Sequence, residues 1–334
     1  MHVSRLTLKD FGAFASADIE LGPGVNVFLG ANATGKTHAM KALYASLRAA
    51  ESNGSALPLR ARLKEKLARV FLPADAQIGR LTRRKAGQRQ GAVRIVVGEV
   101  ELAYTIYSRD SSIRMRRKSL VDPPETIFLP ARELLAMYEG FAAAYRQREL
   151  SFDETYYDGC IALSAAALRG ARPEPLASIQ HRLEKLQGGK TKQRGERFYV
   201  GQLEAHLVAE GHRQLAVLSR LIANGGVQPG RLLFWDEPEA NLNPQLIGEL
   251  AEIVAEIATA GVQVICASHD YLFTQTLSLL EQTDHAPIRY FAFLRGPGGV
   301  TVSAADALGE LPENLIRTAF LRHFDHRRQA LDSV

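Results

Sequence analysis

The stretch GVNVFLGANATGKT, residues 24–37, places a glycine-rich turn between an apolar run and a segment of helical composition. The apolar run predicts a buried strand, and residues 36–50 predict a helix. Residues 30–37 fit the pattern G-x-x-x-x-G-K-[ST], and the flanking strand and helix distinguish it from a chance glycine-rich turn. Gly30 and Gly35 permit the backbone amides to turn inward around a phosphate, and the helix start adds partial positive charge.

Lys36 and Thr37 supply the side chains that such a phosphate-binding loop uses. Lys36 is predicted to reach the β- and γ-phosphates of a nucleotide, and the Thr37 hydroxyl is predicted to ligate Mg²⁺. The whole loop is expected to contact the nucleotide. The predicted contact set is Gly30, Asn32, Ala33, Thr34, Gly35, Lys36, Thr37 and His38.

Two adjacent acids end a second apolar run in LLFWDEPEANLNP, residues 232–244. A carboxylate at the end of a buried strand is where phosphate-loop proteins hold a metal ligand, which assigns Asp236 to Mg²⁺. Glu237 lies one residue further and is predicted to activate the water that attacks the γ-phosphate. The alternative for Glu237 is a surface acid that only opens a loop. Hydrolysis needs the second acid and nucleotide binding does not, so the pair favours an enzyme.

A third apolar run, VICASHD at residues 264–270, ends in a polar cluster that contains His269. An imidazole at this place can hydrogen-bond a γ-phosphate and respond to its presence. The other eight histidines lack such a context. The predicted catalytic set is therefore Lys36, Glu237 and His269.

The bulk composition is that of an ordinary globular chain. Of the 334 residues 46% are hydrophobic and 23% are charged, and neither a membrane-spanning run nor a signal-peptide core is present. Cys160 and Cys266 are too few for a disulfide framework and lack zinc-ligand spacing. We expect a soluble cytoplasmic protein with no membrane partner.

The positive charge is concentrated in residues 60–118, which hold 16 Lys and Arg against 5 Asp and Glu, while the whole chain carries +5. A basic segment on an otherwise acidic chain suggests a nucleic acid or an acidic protein partner. A solvated arginine-rich surface explains the same composition equally well.

Together these segments resemble ABC-type ATPases of the SMC/RecF/OLD-like branch. The resemblance rests on residues 6–37, on DEPEANLNP and SHD, and on IFLPARELL at residues 127–135. It implies an α/β fold with a mixed central sheet, an antiparallel β subdomain and an inserted helical lobe, with ATP and Mg²⁺ as cofactors. It also implies one ABC-type domain over residues 1–334, with a nucleotide-binding core at 1–130 and 228–334 and a helical signature lobe at 131–227.

The resemblance further implies an ATP sandwich of two copies of the chain. Ala209, Glu210 and Gly211 occupy the signature segment that contacts the nucleotide of the other subunit, and the family commonly has Ser where this chain has Ala209. The missing hydroxyl removes a hydrogen bond worth about 1.5–3 kcal/mol, which predicts slow hydrolysis. Residues 240–244 match the D-loop, where Asn241 and Asn243 are predicted to lie near the partner subunit.

Some family features have no counterpart. The Q-loop glutamine is not placed, because Gln77, Gln88, Gln90 and Gln147 lack a strand-end context, and heptads for a long coiled coil are missing. RTAFLRH, residues 317–323, fits the Arg-x5-His spacing of HEPN-like ribonucleases, but a basic surface helix is the preferred interpretation.

The leading functional interpretation is a dimerising ATP switch that controls a separate effector, such as a nuclease, in anti-phage defence or DNA repair. One alternative is an ATP-gated nucleic-acid clamp that uses residues 60–118. Another is a transporter ATPase subunit, which the amino-terminal pattern and the segment VAEG, residues 208–211, disfavour.

Overall fold

A computed structural model describes residues 2–51, 56–84, 87, 89–118, 123–147, 150–170, 172–281 and 287–332. In these ranges strands and helices alternate around one large sheet and a small three-stranded one. Within the described ranges we find no helix that is both long and apolar enough to span a bilayer.

Eleven strands from the described ranges form the large sheet, in the order β6-β5-β4-β1-β2-β14-β13-β3-β12-β11-β7. Its strands are β1 (Val3–Phe11), β2 (Phe14–Glu20), β3 (Val25–Leu29), β4 (Gln90–Val97), β5 (Val100–Tyr107), β6 (Ile113–Lys118), β7 (Thr126–Leu129), β11 (Leu232–Asp236), β12 (Gln263–Ser268), β13 (Ile288–Gly296) and β14 (Gly299–Ala305). The small sheet contains β8 (Thr191–Arg194), β9 (Arg197–Val200) and β10 (Leu203–Glu204).

One half of the large sheet is parallel. The strands β13, β3, β12, β11 and β7 all run in the same direction, whereas β4, β5, β6, β1 and β2 pair antiparallel. The parallel strands therefore end at one border of the sheet, which we call the carboxyl edge. Ligands of open α/β sheets bind outside such an edge.

The helices cover both faces of the sheet. They are α1 (Lys36–Ala50), α2 (Leu59–Phe71), α3 (Phe141–Arg146), α4 (Glu154–Ser164), α5 (Leu176–Leu186), α6 (Glu210–Ala223), α7 (Pro244–Thr259), α8 (Tyr271–Leu280) and α9 (Leu315–Asp332).

The parallel strands are buried on both faces, and their side chains alternate between two hydrophobic clusters. Leu233 and Trp235 of β11 belong to the cluster under α6 and α7, and Leu232 and Phe234 belong to the cluster under α1. The apolar face of α7 lies in the first cluster, where Leu250, Ile253, Val254 and Ile257 are buried.

The predicted α/β fold class, with its mixed sheet and antiparallel part, is confirmed, with three corrections. The segment predicted as a helical lobe does not begin with a helix, because Glu133 accepts hydrogen bonds from the amides of Leu135 and Ala136 and so stabilises a turn. Two helices, α2 and α8, were missed. In α2 charged residues surround a narrow stripe of Leu63, Leu67 and Val70, the buried side chains of that helix. The antiparallel strands also belong to the main sheet rather than to a separate one.

Candidate functional site

The loop between β3 and α1 has two points that only glycine fits. Gly30 and Gly35 have φ angles of 152° and 90°. A Cβ atom at Gly30 would lie 2.5 Å from the carbonyl oxygen of Phe293, and one at Gly35 would lie 2.9 Å from the ring of Phe14. Both separations are too short for carbon, so the glycines allow the loop to pack tightly against β13 and β2.

The side chains of this loop divide into internal and outward groups. The Lys36 ammonium is buried and donates to the carbonyl oxygens of Gly30 at 2.7 Å and Ala31 at 3.1 Å. The Thr34 hydroxyl also donates to Ala31, at 2.8 Å. Asn32, Ala33 and His38 are exposed. Thr34 therefore closes the loop, and the exposed residues are open to a ligand.

Burial lowers the pKa of Lys36, and the negative charges of Asp236, Glu237 and Glu239 oppose this shift. The ammonium thus lies in a dry site close to three acids. A phosphate chain would give it stronger partners than the loop carbonyls, because hydrogen bonds between charged groups are about twice as strong as neutral ones.

Thr37 and Asp236 meet at the carboxyl edge. The Thr37 hydroxyl donates to both carboxylate oxygens of Asp236, at 3.1 and 3.0 Å. Burial raises the pKa of Asp236 to about 6, and the hydrogen bond from Thr37 opposes this. A hydroxyl and a carboxylate are hard oxygen ligands that suit Mg²⁺, which commonly takes one or two protein ligands together with phosphate oxygens and waters. In the described part of the chain no group of three or more His, Cys, Asp or Glu side chains could hold a metal.

Glu237 and His269 approach each other beside this pair. The Nδ1 atom of His269 lies 3.5 Å from Oε1 of Glu237, and the two side chains are 49% and 37% exposed respectively. Glu237 has a φ angle of 52°, which is rare for a residue with a side chain, and its amide donates to Ala267 at 2.9 Å. The strand β11 ends at Asp236, directly before this left-handed residue.

The site has the parts for phosphoryl transfer to water. A cation and a hydroxyl–carboxylate pair can hold a magnesium nucleotide, and an open carboxylate beside an imidazole can accept a proton from water.

Glu239 is a polar residue of this site that the sequence interpretation missed. It is buried, and its Oε1 atom accepts hydrogen bonds from the Ser268 hydroxyl at 2.8 Å and the His269 amide at 3.1 Å. Its signal in the sequence was the third acid of DEPE, which two more prominent acids precede.

The signature segment begins α6 and lies against the D-loop of the same chain. Ala209 is the N-cap residue and makes no side-chain cap, and both it and Glu210 are exposed. A Cβ atom at Gly211 would lie 2.7 Å from the carbonyl oxygen of Asn241. Across the described ranges, no hydrogen bond or ion pair joins this segment to the phosphate loop of its own chain.

Two further contacts fix the loop after β11. The Gln214 amide of α6 donates to the carbonyl oxygen of Pro238 at 3.1 Å. Asn243 accepts from the Leu246 amide at 2.9 Å and so caps α7, while Asn241 has a φ angle of 61°. The Oδ1 atom of Asn243 is therefore used within its own helix, and contacts of Asn241 and Asn243 with a partner subunit stay predictions.

The loop after β7 lies at the carboxyl edge, where a Q-loop would be expected, and residues 130–135 contain no glutamine. Here Glu133 is buried and pairs with Arg213 of α6 at 2.6 Å. Gln77, Gln90 and Gln147 lie away from this loop in the chain, and Gln88 lies outside the described residues.

Two protein-family models match the chain. A model described as "AAA domain" matches residues 5–118, and one described as "AAA domain, putative AbiEii toxin, Type IV TA system" matches residues 131–274.

Among curated proteins, the DNA replication and repair protein RecF of Acidothermus cellulolyticus is 43% identical over 60 residues, which are 18% of this chain and 16% of the relative. The histidine transport ATP-binding protein HisP of Pseudomonas aeruginosa is 24% identical over 147 residues, which are 44% of this chain and 53% of the relative. The chain thus spans well under two thirds of the length of these relatives.

Among solved structures, an Smc head bound to the C-winged helix domain of ScpA has the same fold, with a TM-score of 0.55 at 14% identity. The match covers 92% of this chain and 98% of that chain. These comparisons agree with the geometry of the carboxyl edge, since the family matches and the relatives indicate a nucleotide site of the phosphate-loop type, and the fold is shared. Two models of AAA-type P-loop ATPase domains thus match the chain, and its relatives and fold are consistent with an ATPase similar to RecF and SMC.

Proposed function

We propose that this chain is an ATP-dependent dimerisation switch that hydrolyses Mg-ATP slowly and controls a separate effector. One observation carries the proposal: the carboxyl edge of a single chain joins Lys36, Thr37–Asp236 and Glu237–His269, but no hydrogen bond or ion pair in the described ranges links the signature segment to the phosphate loop of its own chain. The exposed Ala209 and Glu210 are then free to meet the nucleotide of a second copy.

In this mechanism each chain contributes different groups to one reaction. Lys36 holds the phosphates, and Thr37 and Asp236 hold Mg²⁺, which neutralises charge on the phosphate oxygens when it is bound. Glu237 accepts a proton from the attacking water, and His269 donates a hydrogen bond to the γ-phosphate. The amides at the start of α6 of the second copy face the same phosphate. Because Ala209 has no hydroxyl, turnover is slow and the ATP-bound dimer is long-lived.

The dependence of the specific activity on protein concentration tests the shared site. ATP hydrolysis per chain should rise with protein concentration, because only dimers have complete sites. Ala209→Trp should abolish this rise without lowering the melting temperature, because Ala209 is exposed. Ala166→Trp, at another exposed alanine in the predicted helical lobe, is the matched control and should behave as wild type. A specific activity that is independent of concentration contradicts the shared site.

The role of the effector rests on the relatives. One relative is named a DNA replication and repair protein, and one family description names a toxin of a type IV TA system, so we place the switch in DNA repair or defence. The chain alone should hydrolyse ATP and leave DNA and RNA intact. If the chain alone cleaves DNA or RNA and Arg317→Ala abolishes this cleavage, the proposal of a separate effector is contradicted. The HEPN-like motif on the exposed helix α9 is then supported.

A nucleic-acid clamp is the second candidate, and the exposed arginines of the edge strand β6 favour it. Arg114, Arg116 and Arg117 are exposed there, at the end of the large sheet. If these arginines bind phosphates, affinity for duplex DNA should fall steeply with salt, with about six contacts costing roughly 10³-fold between 50 and 200 mM. Flat salt dependence, measured with Glu237→Gln and ATP, rejects the clamp.

A further inference from the structure

Glu239 is a buried acid for which the reaction described above has no part. Its side chain is 5% exposed, and its Oε2 atom is buried without a hydrogen-bond partner in the described part of the chain. Burial raises the pKa of this carboxyl group. A buried carboxylate with an unsatisfied oxygen costs folding free energy, so stability alone does not explain why an acid lies here.

The hydrogen bonds of Glu239 join the loop after β11 to the loop after β12. Its Oε1 atom accepts from the Ser268 hydroxyl and from the His269 amide. The Ser268 oxygen accepts in turn from the Asp270 amide at 3.1 Å, and Asp270 caps α8 by accepting from the Phe273 amide at 2.7 Å. One carboxylate thus anchors the backbone on both sides of His269.

The ladder between β11 and β12 does not supply this anchoring, although Ser268 still pairs with Leu29 of β3 on the other side. The registered pairs of β11 and β12 end at Asp236 and Ala267, and the last backbone bond between the two strands runs from the Glu237 amide to Ala267. Beyond this point, Glu239 supplies the hydrogen bonds that hold Ser268 and His269 relative to Glu237.

We propose that Glu239 is a positioning residue for ATP hydrolysis, which holds the main chain of His269 so that its imidazole and the Glu237 carboxylate face the same point in the cleft. The inference rests on the proposed function of Glu237 and His269. The 3.5 Å between these two side chains depends on the backbone position of His269. A shift of about 1 Å in such a group can cost on the order of 10²-fold in rate.

Steady-state ATP hydrolysis by Glu239→Ala and Glu239→Gln tests the inference. Glu239→Ala removes the acceptor, and kcat should fall by about tenfold or more, while KM for ATP stays near the wild-type value. Glu239→Gln keeps an acceptor oxygen at the position of Oε1, so kcat should recover most of the wild-type value. Ser268→Ala removes one of the two bonds to Glu239, together with the bond from the Asp270 amide, with little change in volume. It should give an intermediate kcat, which keeps the test informative if Glu239→Ala does not fold.

The matched control is Glu154→Gln, at another buried acid that pairs with Lys66 and Arg69 outside the carboxyl edge. It should lower the melting temperature, but it should not lower kcat selectively while KM for ATP stays constant. The inference is overturned if Glu239→Ala turns over as fast as wild type, or if Glu239→Gln is as slow as Glu239→Ala.

The same assay separates this failure from failure of the proposed function. If the wild-type chain hydrolyses no ATP, or if Glu237→Gln is as active as wild type, the proposed function fails. If wild type is active and Glu237→Gln is inactive, an active Glu239→Ala contradicts only the positioning role.

Discussion

The carboxyl edge and the basic segment 60–118 differ in how far their properties can be derived from local sequence. At the carboxyl edge three short motifs meet, and hydrogen bonds join residues as distant in the chain as Thr37 and Asp236, which are 199 positions apart and 3.0 Å from each other. In the basic segment, part of the charge is balanced by acids from outside it. Lys66 pairs with Glu154 and Asp158, and Arg69 pairs with Glu154.

The two regions differ in what determines which groups lie beside a given side chain. Parallel strands in a sheet end at the same border, so a polar residue after a buried strand has a predictable location. A lysine on a helix is paired or free according to which distant helix packs beside it. Here α4, which lies outside the segment, supplies Glu154 and Asp158. The predicted nucleic-acid surface therefore carries less free positive charge than the sequence count suggests. The arginines of β6 are exposed and remain available to phosphates.

The largest effect is expected from Glu237→Gln at the carboxyl edge. Loss of the base should lower kcat by roughly 10³-fold, because general-base catalysis contributes about 10²–10⁴-fold. ATP affinity should remain, since Lys36 and Thr37 are unchanged. A phosphate-release assay together with binding of a fluorescent ATP analogue measures both. If Glu237→Gln still hydrolyses ATP, Glu237 is not the base, and the motif does not predict which group at the carboxyl edge is catalytic.

Lys66→Met tests the balanced part of the basic segment. The Lys66 ammonium lies 3.0 Å from Glu154 and 2.5 Å from Asp158, and these three side chains are at most 13% exposed. Removing the cation leaves buried Asp158 without its ion pair and Glu154 with Arg69 alone, so the free energy of unfolding should fall by about 3 kcal/mol. Urea denaturation measures this. Lys64→Met, on the exposed side of the same helix, is the control and should change stability by about 0.5 kcal/mol or less.

Asp236→Asn tests the electrostatic cost of the site. Because burial raises the pKa of Asp236 from 3.8 to about 6, the folded state disfavours the charged carboxylate, and the wild-type chain loses stability as the pH rises from 4 to 6. Without Mg²⁺ or nucleotide, Asp236→Asn should therefore be about 3 kcal/mol more stable than wild type at pH 8. The gain should shrink toward pH 4. A gain that is independent of pH, measured by thermal denaturation, contradicts this cause.

Arg114→Ala and Arg117→Ala should have the smallest effects. Both side chains are exposed on β6, so each change should alter the free energy of unfolding by about 0.5 kcal/mol or less and leave ATP hydrolysis unchanged. A large loss of stability would show that these arginines are balanced by acids as Lys66 is.

The sequence was sufficient for the parts of the fold that repeat a strong pattern. The buried strand β3, the helix α1 and the acids after β11 follow from periodicity and motif, and they lie where predicted. It was insufficient for α2, whose stripe of Leu63, Leu67 and Val70 is narrow among charged residues. It was also insufficient for Glu239, because its partners Ser268 and His269 lie 29 and 30 residues away.

The central claim is that ATP brings two copies together across the carboxyl edge. Light scattering during size exclusion of Glu237→Gln measures this directly, with Lys36→Ala as the control that lacks the phosphate-binding ammonium. We expect the mass of Glu237→Gln to double from 36.7 kDa when Mg-ATP is added, and that of Lys36→Ala to remain constant. A Glu237→Gln chain that binds ATP and keeps the mass of one copy would contradict the claim.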